Sequence, residues 1–346
     1  MKRPQDLHCL LFHWLTLLGY GSAFYLYLHP ELIGAHSTVS RLAFVLAAAI
    51  MLGWCSGIDV AVNFHNHAHK PFFRRTSLNR WCGRLWTFSA GWPSYFFEHA
   101  HITVHHRNLL QGADWTLPRR RPDGRFESLL RYTFLHWPWR FGLHFYRDFS
   151  THGRMPSAVR RRVVRELVIF AALWSIPFWI DTEMALALWL FPQWLGNMAV
   201  SGAGMYTQHA GCVRPSADKP YSHSNSSMSA FHNLTMFNLG YHLAHHTYPT
   251  VHWTDLPHVH TRLVAKLAVK GPLSDLRIFS VSYYAMGSLL AKSWLSDAVR
   301  AKLLRRDRLD GRTEVAPFDL AIEADYEAWS REARSPSRGT PEMEAR

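Results

Sequence analysis

Cysteine is scarce in this chain of 346 residues: Cys9, Cys55, Cys82 and Cys212 are scattered. No two stand at the spacing of a disulfide framework or a thiolate zinc site, which excludes both. There is no glycine-rich nucleotide fingerprint and no phosphate-binding loop. No period of roughly 20–50 residues recurs, so a repeat architecture is also excluded. Acidic residues are outnumbered, 25 against 38 Lys and Arg, for a net charge of +13. In a soluble chain that surplus would point to nucleic acid. Here hydrophobic residues make up 48% and aromatics 14%, and the positive charge is concentrated between Arg107 and Arg165, where 13 arginines face four acids. Basic residues between two apolar regions are the pattern of a cytoplasmic loop lying on anionic lipid, so the expected partner is the bilayer and no nucleic acid.

Four apolar stretches are present, at about 9–28, 42–62, 163–180 and 184–205. About 20 apolar residues in a helix cross roughly 30 Å of hydrocarbon. The first is too long for the apolar part of a secretory signal and reads as a retained helix. The segment 81–97 is aromatic but interrupted by Arg84, Gly91 and Pro93, and reads as interfacial or re-entrant, packed against protein. Four spans then put the N-terminus, the basic loop and the C-terminal region on one side. The loops left outside, near 30–40 and 181–183, carry acids and no Lys or Arg before Arg41, in accord with positive charge inside. The expected fold is an all-α polytopic membrane protein with a cytoplasmic helical cap. Its membrane domain covers residues 1–310, with amphipathic patches at 261–304 on the membrane surface, and residues 311–346 read as a disordered cytoplasmic tail.

What the chain has in abundance is histidine in clusters: His65 and His69; His101, His105 and His106; His242, His245 and His246. Residues four apart on a helix lie about 40° apart around its axis, and residues three apart about 60° the other way. Each cluster can therefore aim two or three ring nitrogens at one point, and imidazole is the commonest metal ligand. Eight ligands exceed the needs of one metal, so two metals are implied. On a regular helix His106 points about 140° from His101, so that helix is expected to bend or end there. The isolated His8, His13, His29, His36, His136, His144 and His152 read as ordinary polar residues, and His67, His99 and His232 as neighbours of the site or surface groups. Metal-bound imidazoles hand their second nitrogen to carboxylates or carbonyls. Glu98, Asp59, Asp114 and Asp255 are the nearest acids, with Glu98 favoured because it stands one turn before His101, and Asp59 equally readable as facing a neighbouring helix.

The spacing of the three clusters resembles that of the membrane fatty acid desaturase superfamily, which includes hydroxylases, ketolases and decarboxylases. The stretches from Asn63 to Phe73 and from Phe237 to Pro257 look like bacterial acyl desaturases, and the likeness runs over roughly residues 10–265. The resemblance implies a di-iron centre, with dioxygen as co-substrate and two external electrons, acting on an acyl chain held in a tunnel. By position, His65, His69, His101, His105, His106, His242, His245 and His246 would be iron ligands. His209 falls where stearoyl-CoA desaturases place a ninth. An Asn one turn before that ninth histidine is replaced here by Met205, with Gln208 or Asn238 as possible substitutes.

The function so implied is acyl desaturation of a free, thioester- or phospholipid-bound chain. Hydroxylation, acetylenic bond formation and decarboxylation to a terminal alkene are alternative outcomes of the same oxidant. A non-catalytic metal-binding membrane protein is the reading from a different class. His29 and Pro30 are followed by Glu-Leu rather than the Gly-Gly of a fused haem domain, so a separate ferredoxin-like or haem donor is expected. Short termini without a sorting signal suggest a bacterial inner membrane, with the site facing the cytoplasm. Arg107 and Arg119 to Arg121 read as lipid contacts.

Overall fold

The computed structural model describes residues 1–118, 127–151, 155–212, 214–216, 220–270, 276–279 and 282–283. The expected tail at 311–346, most of the surface patch at 261–304, His152 and the arginines at 119–121 lie outside the described residues. The architecture is helical, 72% helix against 2% strand, so the one strand pair among the described residues is a local clasp rather than a layer.

Among the described residues three helices are long and apolar enough to cross a membrane: α1 (Asp6–Leu28), α2 (Thr38–His69) and α6 (Ser157–Ile180). Between α2 and α6 lie α3 (Thr76–Ala90), α4 (Ser94–Glu98, prolonged by the π-helical turn His99–His106) and α5 (Trp137–Ser150). The fourth expected span belongs to α7, residues 182–209, which strings together Thr182–Ala185, Leu186–Leu190, Phe191–Gly196, Asn197–Gly202 and Ala203–His209 without a break. Pro192, Gln193 and Asn197 interrupt its apolar run, and for that reason it does not join the other three on length and hydropathy alone. The short helices α8 (Ala230–Thr235) and α9 (His242–Thr247) follow, and then α10 (Leu256–Lys270). The strands β1 (Asn225–Ser227) and β2 (Arg277–Phe279) pair in parallel, with Ser226 opposite Ile278.

The outer faces of the long helices carry apolar side chains that no protein covers, among them Leu18, Val39, Val168 and Trp179. Lipid tails are the solvent such faces fit. Inward, α2 and α7 cross at nearly backbone contact. A Cβ on Gly57 would lie 2.6 Å from the Val200 side chain and 2.7 Å from Gly196 O. Small residues let membrane helices approach this closely, which supplies packing energy where no hydrophobic drive exists. On the other side of that seam, Trp189 fills a pocket with Tyr20, Leu52, Met184 and Leu188.

The segment 81–97 is not one helix. α3 ends at Ala90, Gly91 takes a left-handed conformation (φ 69°), and α4 begins after Pro93. A helix ending inside apolar surroundings leaves carbonyls unpaired unless side chains reach them. Two amides from α7 do so: Gln193 Nε2 donates to Phe88 O at 3.2 Å and Asn197 Nδ2 to Ala90 O at 2.9 Å.

Candidate metal centre

Each histidine cluster stands where a regular helix has been widened or ended. A π-helical turn at Asp59–Phe64 precedes His65–His69, and α4 runs into the π-helical turn His99–His106. In a π-helix the hydrogen bond spans five residues rather than four, so residues five apart come onto one face. His106 thus meets His101, Nε2 to Nε2 at 3.1 Å, and the helix ends at His106, in accord with the expectation that it bends or ends there. The third cluster occupies the one-and-a-half turns of α9, held by Ser226 Oγ of β1, which accepts from Leu243 N at 3.0 Å. His209 is the last residue of α7.

Packing sorts these nine imidazoles into two groups. His65, His69, His101, His106 and His245 form one, and His105, His209, His242 and His246 the other, the ring nitrogens of each lying within 4.8 Å of one another. The first group runs His69, His101, His106, His245, His65, with successive Nε2 separations of 2.9, 3.1, 3.2 and 3.1 Å. The second runs His105, His246, His242, His209 at 3.3, 3.0 and 3.1 Å. The adjacent pairs His105–His106 and His245–His246 are each divided between the groups. Neighbours in sequence project to different sides of a helix and so serve two centres.

The chemistry of this donor set fits metal cations. His105 Nδ1 donates to Asp114 Oδ2 at 2.9 Å, and His209 Nδ1 to the carbonyl of His223 at 3.0 Å. With those protons placed, both Nε2 atoms present lone pairs to the second group. In the first group, five Nε2 atoms each hold either one proton or one lone pair, so no proton arrangement pairs all of them. Imidazolium does not relieve the conflict. Burial drives His101, His106, His242, His245 and His246 well below the usual imidazole range, and neighbouring imidazoles push the same way. A metal ion at the focus of each group satisfies every lone pair, and both groups can hold one.

The acids divide sharply. Asp114 lies at His105, and is itself held by Thr116, whose Oγ1 donates to Oδ1 at 2.6 Å. Glu98 pairs with Arg162 at 3.1 Å, away from His101. Asp59 faces α1 and α3, accepting from His13 Nδ1 at 2.9 Å and Ser89 Oγ at 3.0 Å, while its other oxygen takes Asn63 Nδ2. Asp255 pairs with Arg3 at 2.7 Å, and Asn238 Nδ2 donates to Trp253 O. Gln208 is buried and lines the cavity described below. Of the histidines set aside from the sequence, His67 contacts Asn79 O, His99 contacts Asp148, and His232 stacks edge-on to Tyr283.

Two contributors had no signal in sequence. His223 supplies the carbonyl that orients His209, and Thr116 braces Asp114. Both lie in irregular segments, where no periodicity announces a contact.

Beside the two groups opens a cavity of about 370 Å³. His65 and His101 from one group and His242 from the other form part of its wall, and Trp92, Phe141, Val200 and Leu239 supply apolar surface. Nine imidazoles, buried or half-buried and gathered in two neighbouring groups within a helical body clad in apolar side chains, define an integral membrane protein with a histidine site that could hold metal, open to an apolar cavity. The fatty acid desaturase family matches residues 40–274, and the chain belongs to it. Its members are in general oxidoreductases. No curated protein matches the chain.

Proposed function

We propose that the protein is a membrane-bound, di-iron, dioxygen-dependent fatty acyl desaturase. The observation that carries this reading is the junction of both histidine groups with one apolar cavity, through His65, His101 and His242. Such a junction suits a long apolar substrate whose reacting carbons must lie beside the metals. In this reading α7 is the fourth span, and the N-terminus, all three clusters and the basic loop share the cytoplasmic side. The membrane domain extends to about residue 310, and a separate ferredoxin-like or haem protein delivers electrons to that face.

When bound, the two irons supply activation of dioxygen. Desaturation then removes two hydrogens from adjacent chain carbons and, with two electrons and two protons from outside, yields two waters. Residues of this chain do the rest. Asp114 and the His223 carbonyl hold His105 and His209 in one tautomer and orientation. The aromatic wall at Trp92 and Phe141 and the aliphatic one at Val200 and Leu239 fix the chain and keep bulk water from the centre. The carbon presented to the centre decides among desaturation, hydroxylation and alkene formation.

The test is expression of the protein with a ferredoxin-type reductant system, with iron analysis and mass spectrometry of host lipids and volatiles. About two irons per chain and new unsaturation are expected. Hydroxylated or terminal-alkene products would reassign the outcome within the family. Metal without any oxygen consumption or lipid change would favour a metal-binding role instead, and His245→Ala would then leave lipids unaltered.

A further inference from the structure

The first turns of α6 present two opposed faces. One turns into the protein: Arg162 Nη2 donates to Glu98 Oε2 at 3.1 Å with its guanidinium over the Tyr95 ring, and Glu166 accepts from Arg84 Nε and Nη2 at 2.9 and 2.8 Å. The other carries Ser157, Arg160, Arg161, Val164 and Arg165, whose spacings of three and four set them along one side of the helix. Together with Phe149, near the end of α5, these residues line an open groove of about 520 Å³.

The acids nearest this groove are committed elsewhere. Arg160 and Arg161 have no acidic partner among the described residues, and Arg165 meets only Glu166 at 3.9 Å, an acid that Arg84 already holds. Asp148, the residue before Phe149, turns inward to His99 Nε2 at 3.1 Å and Trp115 Nε1 at 3.2 Å. Three guanidiniums around one groove attract an anion, and the fork of each suits the oxygens of a phosphate. The groove is not polar throughout. Phe149 and Val164 share it with the arginines, and further along α6 Leu167 and Val168 are exposed apolar residues on the span that runs to Ile180. Positive charge at the end of a span, with apolar surface beneath it, matches a lipid whose head lies at the interface and whose chains lie against the helix. A soluble anion would use the arginines alone. An acidic protein docking from water would also leave the apolar surface unused, since that surface lies in hydrocarbon.

We infer that the groove between α5 and α6 holds one phospholipid with a net negative headgroup, its phosphate on Arg160, Arg161 and Arg165 and its chains along Val164 and Val168. Such a site differs from the diffuse attraction of a basic loop, because it saturates at one lipid and depends on where the positive charges stand. The inference rests on α6 crossing the bilayer and is independent of the reaction proposed above.

Native mass spectrometry of the full chain, released from detergent micelles, tests it by titration of dioleoyl phosphatidylglycerol against dioleoyl phosphatidylcholine. One phosphatidylglycerol should remain on each chain, bound about tenfold tighter than phosphatidylcholine. Arg160→Gln, Arg161→Gln and Arg165→Gln together should abolish that preference. Each alone, a milder change in case the triple variant fails to fold, should lower it about twofold. Arg74→Gln, Arg75→Gln and Arg80→Gln together remove the same charge from exposed positions elsewhere and should leave the preference as in wild type. Equal affinity for the two lipids, or an equal loss in both triple variants, overturns the site and leaves only diffuse attraction. Displacement of the lipid by inorganic phosphate below millimolar concentration, or by an acidic soluble protein, would make the groove a site for that partner and overturns the lipid as its occupant.

Discussion

Asn197 Nδ2 donates to the carbonyl of Ala90 at 2.9 Å, joining the middle of α7 to the last residue of α3. Together with Gln193 on Phe88 O, it finishes a helix that stops at Ala90 within the helical body. Those two amides are the same residues that interrupt the apolar run of α7. Their polarity serves a neighbouring helix end.

Replacement of Gln193 by Leu should therefore cost stability. The change strips Phe88 O of its donor and leaves Trp174 Nε1, which donates to Gln193 Oε1 at 2.6 Å, without an acceptor. About 1–3 kcal/mol for each stranded group is expected. Thermal unfolding in detergent should show a lowered midpoint, and an unchanged midpoint would remove the helix-ending role.

Gly57→Ala should disturb the α2–α7 crossing. The added methyl falls 2.6 Å from Val200 and 2.7 Å from the backbone oxygen of Gly196, which is not a flexible neighbour. A loss of about 1–3 kcal/mol is expected from overpacking. Cross-linking between cysteines introduced on α2 and α7 should report separation of the helices, while an unaltered cross-linking rate and melting point would contradict the close crossing.

Asp114→Asn should weaken metal retention at the four-histidine group. The carboxylate that orients His105 is lost while size is kept, and a loss of such partners typically costs about 10–100-fold in metal affinity. Chelator competition followed by metal analysis gives the readout, with one metal released before the other. Equal release from wild type and variant would remove Asp114 from the site. Glu98→Gln, changing a residue turned to Arg162, should leave metal retention as it is.

Acid should destabilise the protein partly through His260, which lies outside the long helices, buried and without a hydrogen-bond partner among the described residues. Burial lowers its pKa to about 4 from an ordinary 6.5. The unfolded chain then binds a proton that the folded chain refuses, so stability is whole above pH 6.5 and declines as pH falls toward 4. The decline attributable to this residue is roughly 3 kcal/mol by the lower limit. In His260→Phe, the slope of unfolding free energy against pH should flatten across that window. A slope equal to wild type would place the titration elsewhere.

The sequence carried much of the site. Histidines at three-, four- and one-residue spacings report on their own helix, because angle around an axis is a local property, and the eight so singled out are gathered by the fold together with His209, which only the family resemblance had added. Long apolar runs are equally local, and α1, α2 and α6 lie where such runs stand. The acids were less legible. Glu98 stands one turn before His101, the nearest place for a support by sequence, yet it turns to Arg162, while Asp114, eight residues beyond His106, folds back onto His105. Sequence distance measures proximity only within an element.

Taken alone, the sequence determined that this is a histidine-rich helical membrane protein of desaturase type, since hydropathy and ligand type are properties of individual residues and short windows. Only the tertiary structure decided which imidazole serves which centre. It split the pairs His105–His106 and His245–His246, and used a π-helical turn to bring His101 and His106 together. Those outcomes depend on contacts between segments a hundred or more residues apart, as His65 and His245 are, and packing geometry across such distances is set by the whole fold.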